Sequence, residues 1–337
     1  MTRPRKIACL GVPTPAARKL FTDLAPDGFD IVFDEPPYDD SAIAVIADAD
    51  YIICWSRPLP ANLLKAAARL RFIQRIGSGT ELVDLETAAE LGIPVANMTG
   101  VNAESTGEFA TLLMLAVLRR LPEAHNSVVA GQWLKWEVRA GTYELRGKQV
   151  GIIGLGQIGR AVTRHVKAFA AVPVYYNSRR LAPVDEAELG VSYLPLDDLL
   201  RTSDVITLHL PLNRETEKII GRRELSLMKP TAVLVNTARG GVIDEQALYE
   251  ALRDGRIMGA GLDCFDPEPT SPDNPLLHLR NVVLAPHVAG VTEDSQIALV
   301  QRALGNVAKF DAGEALAARD IVVAAARLPA GVEADHG

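Results

Sequence analysis

Three segments in the second half of the chain carry side chains able to do acid–base and anion chemistry: "VNTARGGVID" with Arg239, "GLDCFDPEP" with Asp263 and Glu268, and "LAPHVAG" with His287. An imidazole changes charge near neutral pH and can give or take a proton. A carboxylate on its other ring nitrogen would favour imidazolium and hold the ring, and a guanidinium can hold a carboxylate. Singly, each residue also has a plain structural reading: Arg239 a surface charge, Glu268 a turn carboxylate beside Pro267 and Pro269, His287 a satisfied core histidine. Their location argues for chemistry, because each follows an apolar run that reads as a strand, and ligands of open α/β sheets bind at the carboxyl ends of strands.

Upstream, "QVGIIGLGQIGRAV" sets Gly154, Gly156 and Gly159 in G-x-G-x-x-G, directly after an apolar strand and ahead of a helical pattern. The first glycine permits a tight turn, the second lets backbone approach a pyrophosphate, and the third lets helix and strand pack closely. Strand, glycines, helix and second strand in that order predict a dinucleotide site rather than a chance motif. An NAD-reading site would place Asp or Glu about 20 residues on, to accept from both ribose hydroxyls. Here Asn177 stands, followed by Ser178, Arg179 and Arg180. Loss of the carboxylate removes repulsion of a 2′-phosphate, and guanidiniums pair well with phosphate, so NADP(H) is expected over NAD(H), with Arg179 the principal contact. The plain alternative is that two arginines at a strand end form a solvated turn.

The elements that must position these residues are legible as an alternation. "KIACLG", "FDIVFDE", "YIICWS", "RFIQRIG" and "IPVANM" are β-rich runs separated by helical stretches, and a second series, "KQVGIIG", "VPVYYN", "VITLHL", "AVLVNTA", "IMGAGLD" and "VVLAPH", starts at Lys148. Strands alternating with crossover helices predict parallel sheets. Between the series, Glu104 to Trp133 is a long helical pattern dense in Leu, Ala and Val. A length of 337 residues sets a prior of about two domains. The expected fold class is α/β, with two Rossmann-like doubly wound parallel-sheet domains and an active-site cleft between them. The boundaries fall at 1–102 plus 290–337 for a flavodoxin-like substrate domain and 103–289 for a dinucleotide-binding domain, with a long helix near 104–122 linking and pairing subunits. The last residues, "RLPAGVEADHG", are expected to be frayed.

Hydrophobic residues make up 48% and charged residues 23%, ordinary for a packed globular chain. The net charge of -7 offers no broad attraction for nucleic acid or anionic lipid. The apolar run Ile7 to Val12 is too short for a signal-peptide core, and no stretch reaches the roughly 18 to 20 apolar residues of a membrane span. Cys9, Cys54 and Cys264 are scattered, odd in number and without Cys-x-x-Cys spacing, which predicts buried, reduced thiols in a cytosolic protein. No metal is expected.

Taken as a set, "RIGSGTELVDLETAAELGIPVAN", "ELRGKQVGIIGLGQIGR", "LMKPTAVLVNTARGGVIDEQAL", "GLDCFDPEP" and "NVVLAPHVAG" resemble the D-isomer-specific 2-hydroxyacid dehydrogenase family, over roughly residues 50 to 310. Within that family the chain is most similar to the glyoxylate/hydroxypyruvate reductase branch. The resemblance implies that Arg239, Glu268 and His287 are the catalytic trio and that Asp263 lies beside the nicotinamide. It extends the cofactor contacts to Leu155, Gln157, Ile158, His209, Pro211, Thr237, Ala238 and Ala289, together with His287. The loop "RIGSG" would bind the substrate carboxylate through backbone N–H groups of Gly77, Ser78 and Gly79, a role its glycine-flanked sequence suits independently. Trp136 matches a tryptophan that reaches the partner's substrate pocket in the reductase branch, which implies a homodimer; any dimer interface would also show exposed aromatics. Trp55, Ser56 and Arg57 are expected at the pocket entrance, with Arg57 attracting an anionic substrate. Two departures remove no functional group: Cys264 where many relatives have Val, and Val288-Ala289-Gly290 in place of the usual glycine pair after the histidine.

The chemistry asks for these side chains on its own terms. Reducing a 2-keto acid needs hydride at C2 and a proton for the carbonyl oxygen, where charge develops. The leading expectation is therefore NADPH-dependent reduction of glyoxylate or hydroxypyruvate to the D-2-hydroxy acid. The alternatives are an NAD-linked D-lactate-type or phosphoglycerate-type dehydrogenase and, from a different class, a dinucleotide-sensing corepressor-like protein on the same fold.

Overall fold

Short apolar strands whose both faces must be buried need helices on both sides, and the chain supplies them in each of two compact units. A computed structural model describes residues 3–35 and 42–324; the expected frayed end, 327–337, lies outside the described residues. One unit comprises Met1–Asn102 with Glu293–Gly337, the other Ala103–Thr292.

In the first unit the strands β1 (Arg5–Leu10), β2 (Phe29–Phe33), β3 (Tyr51–Cys54), β4 (Phe72–Arg75), β5 (Val95–Ala96) and β13 (Ile321–Val323) form one sheet in the order β13-β5-β4-β3-β1-β2. The register Ile7↔Tyr51, Ala8↔Ile52, Cys9↔Ile53 sorts successive residues onto opposite faces. Ile7, Cys9, Tyr51, Ile53 and Phe72 pack with Leu299, Val300 and Leu304 of the helix Glu293–Asp311, while Ala8, Leu10, Ile52 and Ile73 form a separate core. β13 was not expected from the sequence; it pairs antiparallel with β5, so this sheet is not wholly parallel.

The second unit holds β6 (Gln149–Ile153), β7 (Val172–Tyr176), β8 (Ser192–Tyr193), β9 (Val205–Leu208), β10 (Val233–Asn236), β11 (Gly259–Leu262) and β12 (Val282–Leu284), all parallel, in the order β12-β11-β10-β9-β6-β7-β8. β6, first in sequence, lies between β7 and β9, and this reversal of strand order makes the topological switch point where doubly wound sheets bind ligands.

The long helix expected near 104–122 is in fact two helices, Ala103–Leu118 and Leu121–Val129. Pro122 has no N–H for the Leu118 carbonyl, which accepts instead from the Tyr143 N–H at 3.0 Å, and Arg120 takes a left-handed conformation with φ of 50°. The first helix buries Ala110, Leu113, Met114 and Val117 against the sheet. Cys9, Cys54 and Cys264 are all free and buried.

Candidate active site

The glycine loop is built by close approach. β6 ends on Gly154, whose φ of +98° strains any residue with a side chain, and a Cβ there would lie 2.5 Å from the His209 carbonyl oxygen. Gly159 sits one helical turn further on, where a Cβ would come 2.3 Å from the Gly154 oxygen. Gly156 is different: it caps the helix Gln157–Ala168, and a Cβ added to it meets nothing within 4 Å. Open space therefore lies over the N-terminus of a 12-residue helix, whose first N–H groups lack intrahelical acceptors. That donor set fits the pyrophosphate of a dinucleotide, with Gly156, Gln157 and Ile158 the residues that would hold it and Leu155 beside them in the loop.

β7 leads to the ribose end. Asn177 accepts the Leu155 N–H on its side-chain oxygen at 2.7 Å, so this residue ties the strand end to the glycine loop. Ser178 and Arg179 follow, both exposed, and Arg179 has no hydrogen-bond or ion-pair partner among the described residues. Arg180 corrects the expectation placed on it: its Nε and Nη2 grip the Glu186 carboxylate at 2.7 and 2.8 Å, and its guanidinium lies 5.4 Å from the Tyr193 ring centre. An internal carboxylate already fills the fork that was assigned to a phosphate.

His209 follows β9. Its Nε2 is 3.0 Å from the Thr207 hydroxyl and its Nδ1 3.5 Å from that of Thr237, and burial pushes its pKa down to about 3, which keeps the imidazole neutral. Thr237 and Ala238 are buried beside it in sequence order after β10, whereas Pro211 is exposed.

Arg239 is presented by a turn that Asn236 ties down. The Asn236 side chain, 1% exposed, accepts from the Ala238 N–H at 3.0 Å and donates to the Arg239 carbonyl at 2.8 Å. Asn236 was missed in the sequence, where "VNTARG" offers only the general turn-forming habit of Asn as a signal. The Arg239 guanidinium is half-buried and donates to the Ala238 carbonyl at 2.8 Å.

His287 and Glu268 meet directly. Nδ1 of His287 is 2.7 Å from one Glu268 oxygen, and the other oxygen accepts the Phe265 N–H at 2.9 Å. His287 has a φ of 56°, a conformation side-chain-bearing residues rarely adopt and one that concentrates at functional sites. Asp263 holds it there: this fully buried carboxylate accepts the Val288 and Ala289 N–H groups at 2.8 and 2.9 Å, and its own carbonyl accepts the His287 N–H at 2.8 Å. Burial pushes the Asp263 pKa up, opposed by those two N–H donors and by His287. Asp263 thus anchors the histidine turn with both carboxylate oxygens. Ligand-type atoms of Cys264, Glu268 and His287 lie within 4.8 Å of one another; the Cys264 thiol donates to the Ala238 carbonyl, and burial pushes its pKa up.

In the first unit, Gly77 has a φ of +97°, its carbonyl accepts the Met98 N–H at 2.9 Å, and the Ser78 carbonyl accepts from Asn97 at 2.8 Å. The N–H groups of Gly77, Ser78 and Gly79 have no protein acceptor among the described residues, as an anion-binding loop requires. The Trp55 ring packs edge-on to Phe21 with centroids 6.1 Å apart, and Ser56 donates to the Gly11 carbonyl at 2.6 Å. Arg57 overturns its expected role: the side chain is buried and paired with buried Asp34 at 2.9 Å, so it is not presented to a substrate. Trp133 and Trp136 are 82% and 66% exposed in the second unit, with Lys135 and Arg139 over the Trp136 ring at 4.9 and 5.8 Å.

The chain is similar to known proteins in sequence and in fold. The family model described as D-isomer specific 2-hydroxyacid dehydrogenase, NAD binding domain, matches residues 111–289. A glyoxylate reductase of Korarchaeum cryptofilum is 40% identical over 297 residues, covering 88% of this chain and 86% of the relative. One from Aeropyrum pernix is 42% identical over 290 residues, covering 84% and 85%. Among solved structures, a glyoxylate reductase from Paecilomyes thermophila superposes with a TM-score of 0.79 at 30% identity, covering 95% of this chain and 98% of that one.

Proposed function

The chain belongs to the D-isomer specific 2-hydroxyacid dehydrogenase family and is an NAD(P)-dependent oxidoreductase of 2-keto and 2-hydroxy acids, and from that premise we propose that it reduces glyoxylate or hydroxypyruvate to the D-2-hydroxy acid with NADPH. The observation that carries this reading is the 2.7 Å contact between His287 and Glu268 in the same unit as the glycine cradle.

A bound nicotinamide dinucleotide supplies the hydride. The chain's own residues do the rest. His287 gives the proton to the carbonyl oxygen as charge builds there, and Glu268, on Nδ1, leaves Nε2 as the donor toward substrate. Arg239 holds the substrate carboxylate and polarises the carbonyl. The first unit is the substrate domain, and its loop of Gly77, Ser78 and Gly79 is its anion-binding element. The second unit is the dinucleotide domain: Gly154–Gly159 hold the pyrophosphate, Ser178 and Arg179 the ribose phosphate, and Thr237, Ala238, Asp263 and Ala289 shape the nicotinamide end. Trp136 and the exposed Val128, Val129 and Trp133 support pairing of two copies of this cytosolic protein, with Trp136 completing the partner's pocket.

One observation favours NADH instead: with Arg180 held by Glu186, a single free guanidinium is left for a 2′-phosphate. Initial rates with NADPH and NADH against glyoxylate, hydroxypyruvate, pyruvate and phenylpyruvate, for wild type and His287→Ala, decide these points. NADPH preference with turnover lost in the variant supports the proposal. NADH preference overturns the cofactor reading, and absence of turnover with every acid turns attention to a dinucleotide-sensing role.

A further inference from the structure

The segment that follows β7 is fastened at both ends by groups that touch no substrate. At its start, Asn177 accepts the Leu155 N–H at 2.7 Å, and the Tyr176 carbonyl accepts the Gly154 N–H at 2.9 Å. At its far end stands Tyr175, whose side chain is wholly buried. The Tyr175 hydroxyl accepts the Leu181 N–H at 2.9 Å and donates to Glu186 at 2.7 Å, and Glu186 in turn receives two bonds from Arg180. Between these anchors Ser178 and Arg179 are exposed with no side-chain hydrogen bond or ion pair among the described residues, whereas Arg180, exposed as well, is held by Glu186.

We propose that Tyr175 and Glu186 are positioning residues for cofactor selectivity: through Leu181 and Arg180 they hold the Asn177–Leu181 segment in the shape that presents Ser178 and Arg179 to the 2′-phosphate. The inference rests on the NADPH reading above and names the device behind it. A two-residue tip held at both ends is ordered before the ligand arrives, so binding does not have to supply that ordering. Arg180 serves as a strut here rather than as a phosphate ligand. The network is also durable: Arg180 first, and Tyr175 second, hold Glu186 down to about 2, while burial and Glu186 push the Tyr175 phenol up, so the hydrogen-bond pattern persists across the working pH range.

The test is equilibrium binding of NADPH and of NADH, followed by quenching of protein fluorescence, to the full chain and to Tyr175→Phe, Glu186→Gln and Arg179→Ala. Tyr175→Phe deprives the Leu181 N–H of its acceptor and should weaken NADPH by about tenfold while NADH stays within about twofold. Glu186→Gln separates shape from charge. Removing a carboxylate near a phosphate should strengthen NADPH binding on charge alone, whereas loss of the strut weakens it; weakening is the expected result. Arg179→Ala should lose NADPH selectivity outright. Equal weakening of both cofactors in Tyr175→Phe, or tighter NADPH in Glu186→Gln, overturns the inference and leaves the NADPH reading standing. If wild type itself prefers NADH, the cofactor reading fails and this inference fails with it. Should Tyr175→Phe not fold, Glu186→Gln decides alone.

Discussion

Nδ1 of His287 stands 2.7 Å from a Glu268 oxygen, and the histidine holds this position in a backbone conformation with φ of 56°. The pair is held from both sides: the Phe265 N–H binds the second oxygen of Glu268, and Asp263 binds the N–H groups of Val288 and Ala289. An acid–base unit held so firmly needs little reorganisation to transfer a proton.

His287→Ala should therefore lower kcat by roughly 10²- to 10⁴-fold, the usual worth of general acid–base catalysis, with nucleotide affinity nearly unchanged. Steady-state kinetics beside nucleotide binding checks this; an equal loss of cofactor affinity would point to collapse of the turn instead.

Gly156 and Gly159 of the cradle should fail in different ways. Gly156→Ala meets no protein atom and has an ordinary φ of -79°, so melting temperature should hold while nucleotide binding is lost. Gly159→Ala places a methyl group 2.3 Å from the Gly154 oxygen and should lower both. Thermal melting with and without NADPH distinguishes the two.

His209 makes stability depend on pH. Its folded pKa is about 3 against an ordinary 6.5, so between these values the unfolded chain takes up a proton that the native state refuses. The stability it confers is complete above pH 6.5 and declines as pH falls toward 3, by up to about 1.4 kcal/mol per pH unit. Urea unfolding of wild type and His209→Gln from pH 7 to pH 4 should show a shallower decline in the variant; parallel curves would refute the assignment.

Asp34→Ala should destabilise the first unit by about 3–5 kcal/mol, since it takes a buried carboxylate away from the buried Arg57 guanidinium and from the Gly11 N–H. The check is denaturant unfolding compared with KM: a raised KM at unchanged stability would return Arg57 to the role of substrate attractor.

Much of this protein was legible before folding was considered. Each β-rich run of the two series has its counterpart strand, because strands buried on both faces leave continuous apolar runs that short-range reading detects. The glycine spacing was readable because phosphate approach forbids side chains at fixed intervals. β8 and β13, each a short strand at the edge of its sheet, were not read there. The break at Arg120 was carried by Pro122, yet the apolar pattern on either side concealed it.

By itself the sequence determined the alternation of strand and helix, the phosphate cradle, and which side chains could hold or move a proton. Tertiary structure alone decided which charged groups were available. Arg57 and Arg180 look like anion ligands in a string of letters, but Asp34 lies 23 positions before the one and Glu186 six positions after the other, and each carboxylate claims its arginine. Asp263 likewise carries no mark of its task 24 to 26 residues on, where it binds the turn of His287. Such pairings are fixed by distance in space, which a local pattern does not encode, whereas burial and periodicity act on neighbours along the chain and can be read there.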